Sequence, residues 1–299
     1  MLENTCFIVL TCDPAQPIIT SQHANAIREE TGGDAVSWLA DGVACEIKCA
    51  ATPDEMTAIL AGLRQKYADT ALDINCISAD NRRKKLLVAD MESTIIEQEC
   101  LDELADLINI RPQIADITER AMRGEIEFEP ALRERVALLT GLPEQTLQQI
   151  YDERVTLMPG AAVLIATMRA HGAVCALVSG GFSFYAEKVA TALSFDHWRS
   201  NTLDITQGKL AGTVGMPILG RDAKAAFLAE WTQELKLDMS QTMAVGDGSN
   251  DLAMLAKAGA GVAFRAKPLV AEAAAFRITH GDLTGLLYLQ GYPQTAFSS

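Results

Sequence analysis

The chain reads as an α/β protein with a doubly wound parallel sheet, preceded by a smaller α+β region, and three observations predict this. Apolar runs of strand length, "LLVAD", "AVCALVS", "TMAVGD" and "GVAF", alternate with helical stretches from residue 84 onward, as expected of strands buried on both faces. A long, mostly helical stretch separates the first two runs. One crossover helix needs far fewer residues, so a helical cap at about residues 97–155 is predicted, inserted after the first core strand. Residues 1–80 keep a different rhythm, with short elements in the order βαββαβ, the pattern of a small α+β sandwich with an antiparallel sheet.

In chain order, "CFIVLT" predicts a strand, "SQHANAIREE" a helix, "AVSWLA" and "ACEIKC" two strands, "PDEMTAILAGLRQKY" a helix and "LDINCIS" a strand. This first region holds no acid pair, glycine loop or histidine cluster, so no chemistry is assigned to it. The basic bridge "ADNRRKK" leads into the second region, residues 84–299. There "CLDELADLI", "RPQIADITERAMRG" and "FEPALRERVALL" supply the helices of the cap, and "SNTLDITQGKLAGTV", with a turn signal at Gly208, predicts a hairpin.

Composition narrows the function. Across 299 residues, 49% are hydrophobic and 21% charged, an ordinary globular balance that argues against long disorder. A net charge of −14 disfavours a nucleic-acid binder, which needs clustered Lys and Arg to release counterions. No run of 18 apolar residues predicts a membrane span, and "MLENTCFIVLTCDP" lacks a basic leader. The seven cysteines include no CxxC pair; Cys45 and Cys49 share one face of a strand as buried small residues, so a cytoplasmic protein with reduced thiols is expected.

The polar residues gather at strand ends, where open α/β sheets bind their ligands. Asp90 and Glu92 follow the first core strand, Ser179, Gly180 and Gly181 end the second, and Asp247 ends a later one. Acids at i and i+2 of extended chain point the same way. Many such pairs are solvated turn residues, but here a central-strand run precedes them. A carboxylate in that position can attack phosphorus while a second acid manages protons. "VSGGF" reads either as a turn with a serine cap or as a phosphate cradle of hydroxyl, glycine N–H groups and helix N-terminus. In "VGDGSNDLAML", Asp247 and Asp251 lie four apart. Clustered carboxylates without a basic neighbour repel unless a hard cation joins them, and Mg²⁺ suits such a set. Lys224 gains weight only if these sites converge. In "ALRERVALL", Leu132, Arg135, Val136 and Leu139 share one helical face, so Arg135 needs an anionic partner while Arg133 projects elsewhere.

The order Asp-x-Glu-Ser-Thr, Ser-Gly-Gly, Lys, Gly-Asp-Gly-x-Asn-Asp resembles the haloacid dehalogenase superfamily. "STIIEQECLDELA", "ITERAMRGEIEFEPALRERVALL", "LVSGGF", "AVGDGSNDLAML" and "VAFRAKP" are similar to its phosphoserine phosphatase family, over about residues 84–290. Residues 1–80 resemble the ACT-like extensions that some members carry. The resemblance implies an Mg²⁺-dependent hydrolase that converts O-phospho-L-serine to L-serine and phosphate, the last step of serine biosynthesis. It implies that Asp90 is the nucleophile and that Mg²⁺ is held by Asp90, the backbone carbonyl of Glu92 and Asp247, supported by Asp251. It further implies that Ser179, Gly180 and Lys224 hold the phosphoryl group and that Asn250 supports the substrate. Glu99 would receive the substrate ammonium, Arg135 its carboxylate, and Met122 and Phe128 would close over it. One departure stands out: the family has aspartate where this chain has Glu92, which moves an acid/base carboxyl outward by one methylene. A slow enzyme, accelerated by Glu92→Asp, is the sequence-based expectation. Two other readings stay open, transfer to another small alcohol and a weakened protein that senses an amino acid or phosphate; the oligomeric state is not legible.

Overall fold

The computed structural model describes residues 5–123 and 125–299; the side chains of Pro53, Asp54 and Met122 also lie outside the described residues, as does Met1–Asn4 of the stretch read for a leader. The first region contains β1 (Thr5–Thr11), α1 (Ser21–Thr31), β2 (Val36–Ala40), β3 (Ala44–Ala50), α2 (Pro53–Lys66) and β4 (Asp73–Ser78). The strands form an antiparallel sheet in the order β2-β3-β1-β4. Both helices begin at threonine capping boxes. Thr20 accepts from the His23 N–H and Thr52 from the Glu55 N–H, satisfying donors that a helix start leaves free. Ile8, Leu10, Cys45, Ile47 and Cys49 pack beneath α1 and α2 in a core of their own. All seven cysteines are free thiols, and burial raises the Cys45 and Cys49 pKa values.

The second sheet opens with β5 (Leu86–Ala89), all four residues of which are buried. The helices α3 (Cys100–Leu107), α4 (Arg111–Met122), α5 (Phe128–Ala137) and α6 (Gln145–Arg154) follow, and then α7 (Ala161–Ala170) returns the chain to the sheet. Next come β6 (Val174–Phe182), α8 (Ser183–Leu193), β7 (His197–Asn201), the hairpin of β8 (Leu203–Thr206) and β9 (Lys209–Val214), and α9 (Arg221–Glu234). The chain ends with β10 (Thr242–Gly246), α10 (Leu252–Lys257), β11 (Ala260–Phe264), α11 (Pro268–Ala273), β12 (Phe276–Ile278) and α12 (Gly285–Leu289). The strand order is β12-β11-β10-β5-β6-β7, with every pairing parallel. One apolar cluster lies on the face shared with α7, α8, α12 and the cap; another lies on the opposite face under α9 and α10.

This topology fixes where the site can be. The chain runs from β5 outward to β7, then crosses to the other side of β5 to begin β10. The order therefore reverses between β5 and β10, opening a crevice beyond their carboxyl ends. The helices α3 to α6 hang above it. They join the sheet through an antiparallel bridge between Ile96 and Leu157, closed by Glu97 N–H to Thr156 O at 3.0 Å and Met158 N–H to Ile95 O at 2.9 Å. The hairpin grips the same cap from the side: Gly141 N–H bonds Leu210 O at 2.8 Å and Glu144 N–H bonds Gly208 O at 2.9 Å. Among the described residues no helix is long and apolar enough to cross a membrane.

Candidate active site

Asp90 stands one residue beyond β5, still in register because its N–H bonds Val245 O at 3.0 Å. Its Oδ1 accepts from its neighbour Met91 N–H at 2.8 Å and from Lys224 Nζ at 2.7 Å. Both donors take the same oxygen, which leaves Oδ2 as the atom able to attack or to bind a metal. Lys224, on α9, also reaches Asp251 Oδ1 at 2.6 Å, and all three residues are buried. Burial alone would lower the lysine's pKa, but Asp251 and Asp90 outweigh it and hold the ammonium well protonated. Asp90 moves against the ordinary direction for a paired acid: burial and the Asp251 charge raise its pKa despite Lys224.

Asp247 follows β10, and its Oδ1 accepts from Thr94 Oγ1 at 3.4 Å. Asp90, Asp247 and Asp251 each bring a carboxylate oxygen within 4.8 Å of the others. Three carboxylates facing one ammonium leave two negative charges unbalanced, the charge of a divalent cation, and hard oxygens are the donors Mg²⁺ prefers. Glycines make the crowding feasible. A Cβ on Gly246 would fall 2.4 Å from Asp251 Cγ, so the strand end can carry no side chain there. The Gly248 N–H holds Asp251 Oδ2 at 3.0 Å. Asn250 lies beside Gly248 at the same turn.

The glycine-bearing end of β6, where its register against β7 shifts between Val178 and Phe182, completes the crevice. Ser179 is 1% exposed and its Oγ accepts from the Gly181 N–H at 2.9 Å. Gly180 lies under the Phe128 ring of α5, which also approaches Gly220 at the start of α9. Glu92 is not in the carboxylate cluster. Its Oε1 accepts from the Cys100 N–H, the first amide of α3, at 2.8 Å. Burial and the Glu99 charge push its carboxyl up to about 8. Ser93, with φ 54°, turns the chain sharply and donates to Glu99 Oε1 at 2.7 Å.

On the cap, Leu132, Val136 and Leu139 are buried as their helical spacing requires, and Arg135 is half-buried among them. Among the described residues Arg135 makes one hydrogen bond, Nε to Ala131 O at 3.3 Å, and no ion pair. Burial lowers its pKa, opposed by the Asp102, Glu92 and Glu99 charges. Arg133 points to solvent and pairs with Glu129. The Met122 side chain lies outside the described residues. Sequence reasoning missed Asn201, a buried side chain at the end of β7. It donates to Gly180 O at 2.8 Å and accepts from Leu219 N–H at 2.7 Å, bracing the end of β6. Strand β7, "HWRSN", has no clear alternation, so nothing marked that position as a strand end.

The haloacid dehalogenase-like hydrolase family model matches residues 87–256. The phosphoserine phosphatase of Vibrio cholerae is 42% identical over 208 residues, covering 70% of this chain and 63% of that protein. This chain therefore spans less than two thirds of that relative's length. The phosphoserine phosphatase of Albidiferax ferrireducens is 46% identical over 210 residues, covering 69% of this chain and 89% of the relative. The crystal structure of a probable phosphoserine phosphatase from Vibrio cholerae superposes with a TM-score of 0.77 at 31% identity, covering 99% of this chain and 89% of that one.

Proposed function

The chain belongs to the haloacid dehalogenase-like hydrolase family, and from that premise we propose that it is a cytoplasmic phosphatase that converts O-phospho-L-serine to L-serine and phosphate, closing serine biosynthesis. The observation that carries the reading is the buried Asp90, held through one oxygen by Lys224 at the switch point of the sheet with Asp247 and Asp251 beside it. In this reading residues 1–80 form an ACT-like domain and residues 84–299 the catalytic domain, with its cap at about 97–155.

Asp90 Oδ2 attacks phosphorus, the bond from phosphorus to the serine oxygen breaks, and that oxygen takes a proton from Glu92. A carboxyl with its pKa near 8 still carries the proton that this step needs at neutral pH. Glu92 then removes a proton from water, whose oxygen attacks phosphorus, releasing phosphate and restoring the Asp90 carboxylate. Ser179 Oγ, the Gly180 backbone and Lys224 Nζ hold the phosphoryl oxygens throughout. Asp90, Asp247 and the Glu92 carbonyl, with Asp251 in support, would hold Mg²⁺, which would supply positive charge against the phosphoryl oxygens. Asn250 supports the substrate side, Glu99 receives the ammonium, Arg135 the carboxylate, and Phe128 excludes water.

Asp90→Asn tests the proposal. The amide preserves shape but is no nucleophile, so phosphate release should fall to background in a folded protein, and acid quenching of the parent enzyme should trap phosphate on Asp90 alone. Robust turnover by folded Asp90→Asn protein would refute the covalent route.

A further inference from the structure

Glu92 has a seat that fits the full length of its side chain. Its Oε1 is fixed by the Cys100 N–H. Its other oxygen lies against Gly181: a Cβ built there would sit 2.5 Å from Glu92 Oε2, 2.9 Å from Glu92 Cδ and 3.0 Å from Ser179 Oγ. The carboxyl and the serine hydroxyl therefore flank one small space, which exists only because residue 181 has no side chain. Gly181 belongs to β6 and does not occupy the left-handed region, so its backbone would accept alanine without strain. Contact, not conformation, is what an alanine would disturb. The nearest atoms are the free end of a flexible glutamate, so the glutamate would give way first.

We propose that Gly181 is a positioning residue for Glu92, and that the empty space over its Cα, with the Cys100 amide, aims the glutamate carboxyl at the oxygen bound beside Ser179. The catalytic consequence rests on the phosphatase reading above; the packing does not. An aspartate at 92 is shorter by one methylene and does not reach Gly181 and the Cys100 amide together. The two positions are therefore coupled in this chain, and would be independent with aspartate.

A double-mutant cycle reads this directly. With Glu92 present, Gly181→Ala should lower kcat about tenfold to a hundredfold, the usual cost of displacing a catalytic group by about 1 Å, with KM nearly unchanged. In the Glu92→Asp background the same alanine should cost less than about threefold, since the shorter acid never filled the space. Competitive inhibition by inorganic phosphate reports on the Ser179 cradle and should stay within about twofold in all four proteins. The denaturation midpoint should follow the same pattern, falling with Gly181→Ala only when Glu92 is present. Equal losses in both backgrounds, in kcat and midpoint, would overturn the proposal, as would weakened phosphate binding that tracks the loss, because Ser179 would then be the group disturbed. If the parent protein hydrolyses no phosphomonoester, the phosphatase reading fails, while the midpoint cycle still decides whether Gly181 seats Glu92.

Discussion

Arg135 places a full positive charge on the buried stripe of α5, with one backbone carbonyl as its hydrogen-bond partner among the described residues. A guanidinium in that setting gains most from a carboxylate that arrives with the substrate, by a charge-assisted contact worth about 1.5–3 kcal/mol. Arg135→Ala should therefore lower kcat/KM for phosphoserine roughly tenfold to a hundredfold. Phosphoethanolamine lacks that carboxylate, so its hydrolysis should change far less. Equal losses on both substrates would remove Arg135 from substrate recognition. Two carboxyls near the carboxylate cluster hold their protons above the ordinary range. Burial and the Asp251 charge raise Asp247 to about 6, and burial raises Glu92 to about 8, from ordinary values of 3.8 and 4.5. The metal-free fold therefore keeps protons that the unfolded chain has released. Its stability is fullest below about pH 4 in these two groups, and is lost as pH rises through their folded values. Metal at Asp247 needs that carboxyl ionised, so Mg²⁺ should raise the denaturation midpoint little at pH 5 and clearly at pH 8. A larger effect at pH 5 would contradict the assignment of Asp247 as a ligand.

Among the elements, legibility followed burial. Runs such as "LLVA" are buried on both faces, so their composition announced central strands and the acids after them announced strand ends. The hairpin was legible because Gln207 and Gly208 both take positive φ, a turn chemistry that sequence displays. What the hairpin touches was not. Its grip on the cap runs through backbone hydrogen bonds and through Gly212, where a Cβ would fall 2.0 Å from Thr140 Oγ1. Backbone contacts between distant segments leave no side-chain pattern to read. The same reason hid Cys100, which serves Glu92 through its amide, and Gly181, which serves by having no side chain at all. It also alters one expectation. Length alone argued that glutamate at 92 is a handicap relieved by aspartate. A Glu92→Asp side chain would vacate the Cys100 amide, so the seat argues for a loss of rate instead. Asp90, Asp247 and Asp251 were readable as acids at strand ends and in a glycine loop, Lys224 gained weight only from their convergence, and the structure brings the four together.

At the scale of the whole molecule, two sheets meet along the edges of β4 and β12, and one buried acid carries much of the seam. The Asp73 carboxylate, 4% exposed, accepts from the N–H groups of Thr279 at 2.7 Å, His280 at 3.0 Å and Gly281 at 2.8 Å, all in the loop after β12. Two residues on, Asn75 accepts from the Arg277 N–H at 2.9 Å and donates to Arg277 O at 2.8 Å, imitating a strand. Arg82 adds a clasp, bonding Glu46 in the first sheet at 2.6 Å and Leu289 O beside the second at 2.8 Å. The first region has an apolar core beneath α1 and α2, while Val9, Val43, Ala44 and Ile77 on the other side of its sheet join the apolar cluster of the second region, so the seam is apolar as well as hydrogen-bonded. Asp73→Ala would strand three amide donors at the seam, and the lost charge-assisted bonds should cost about 3 kcal/mol. Because β12 is separated from β10 by β11, the carboxylate cluster should survive the change. The expected outcome is a protein with nearly unaltered kcat whose denaturation splits, with the first region unfolding before the second. Fluorescence of Trp38 in β2 and Trp231 in α9 can follow the two separately. A single, unshifted transition would mean that the Asp73 bonds contribute nothing to holding the two sheets together.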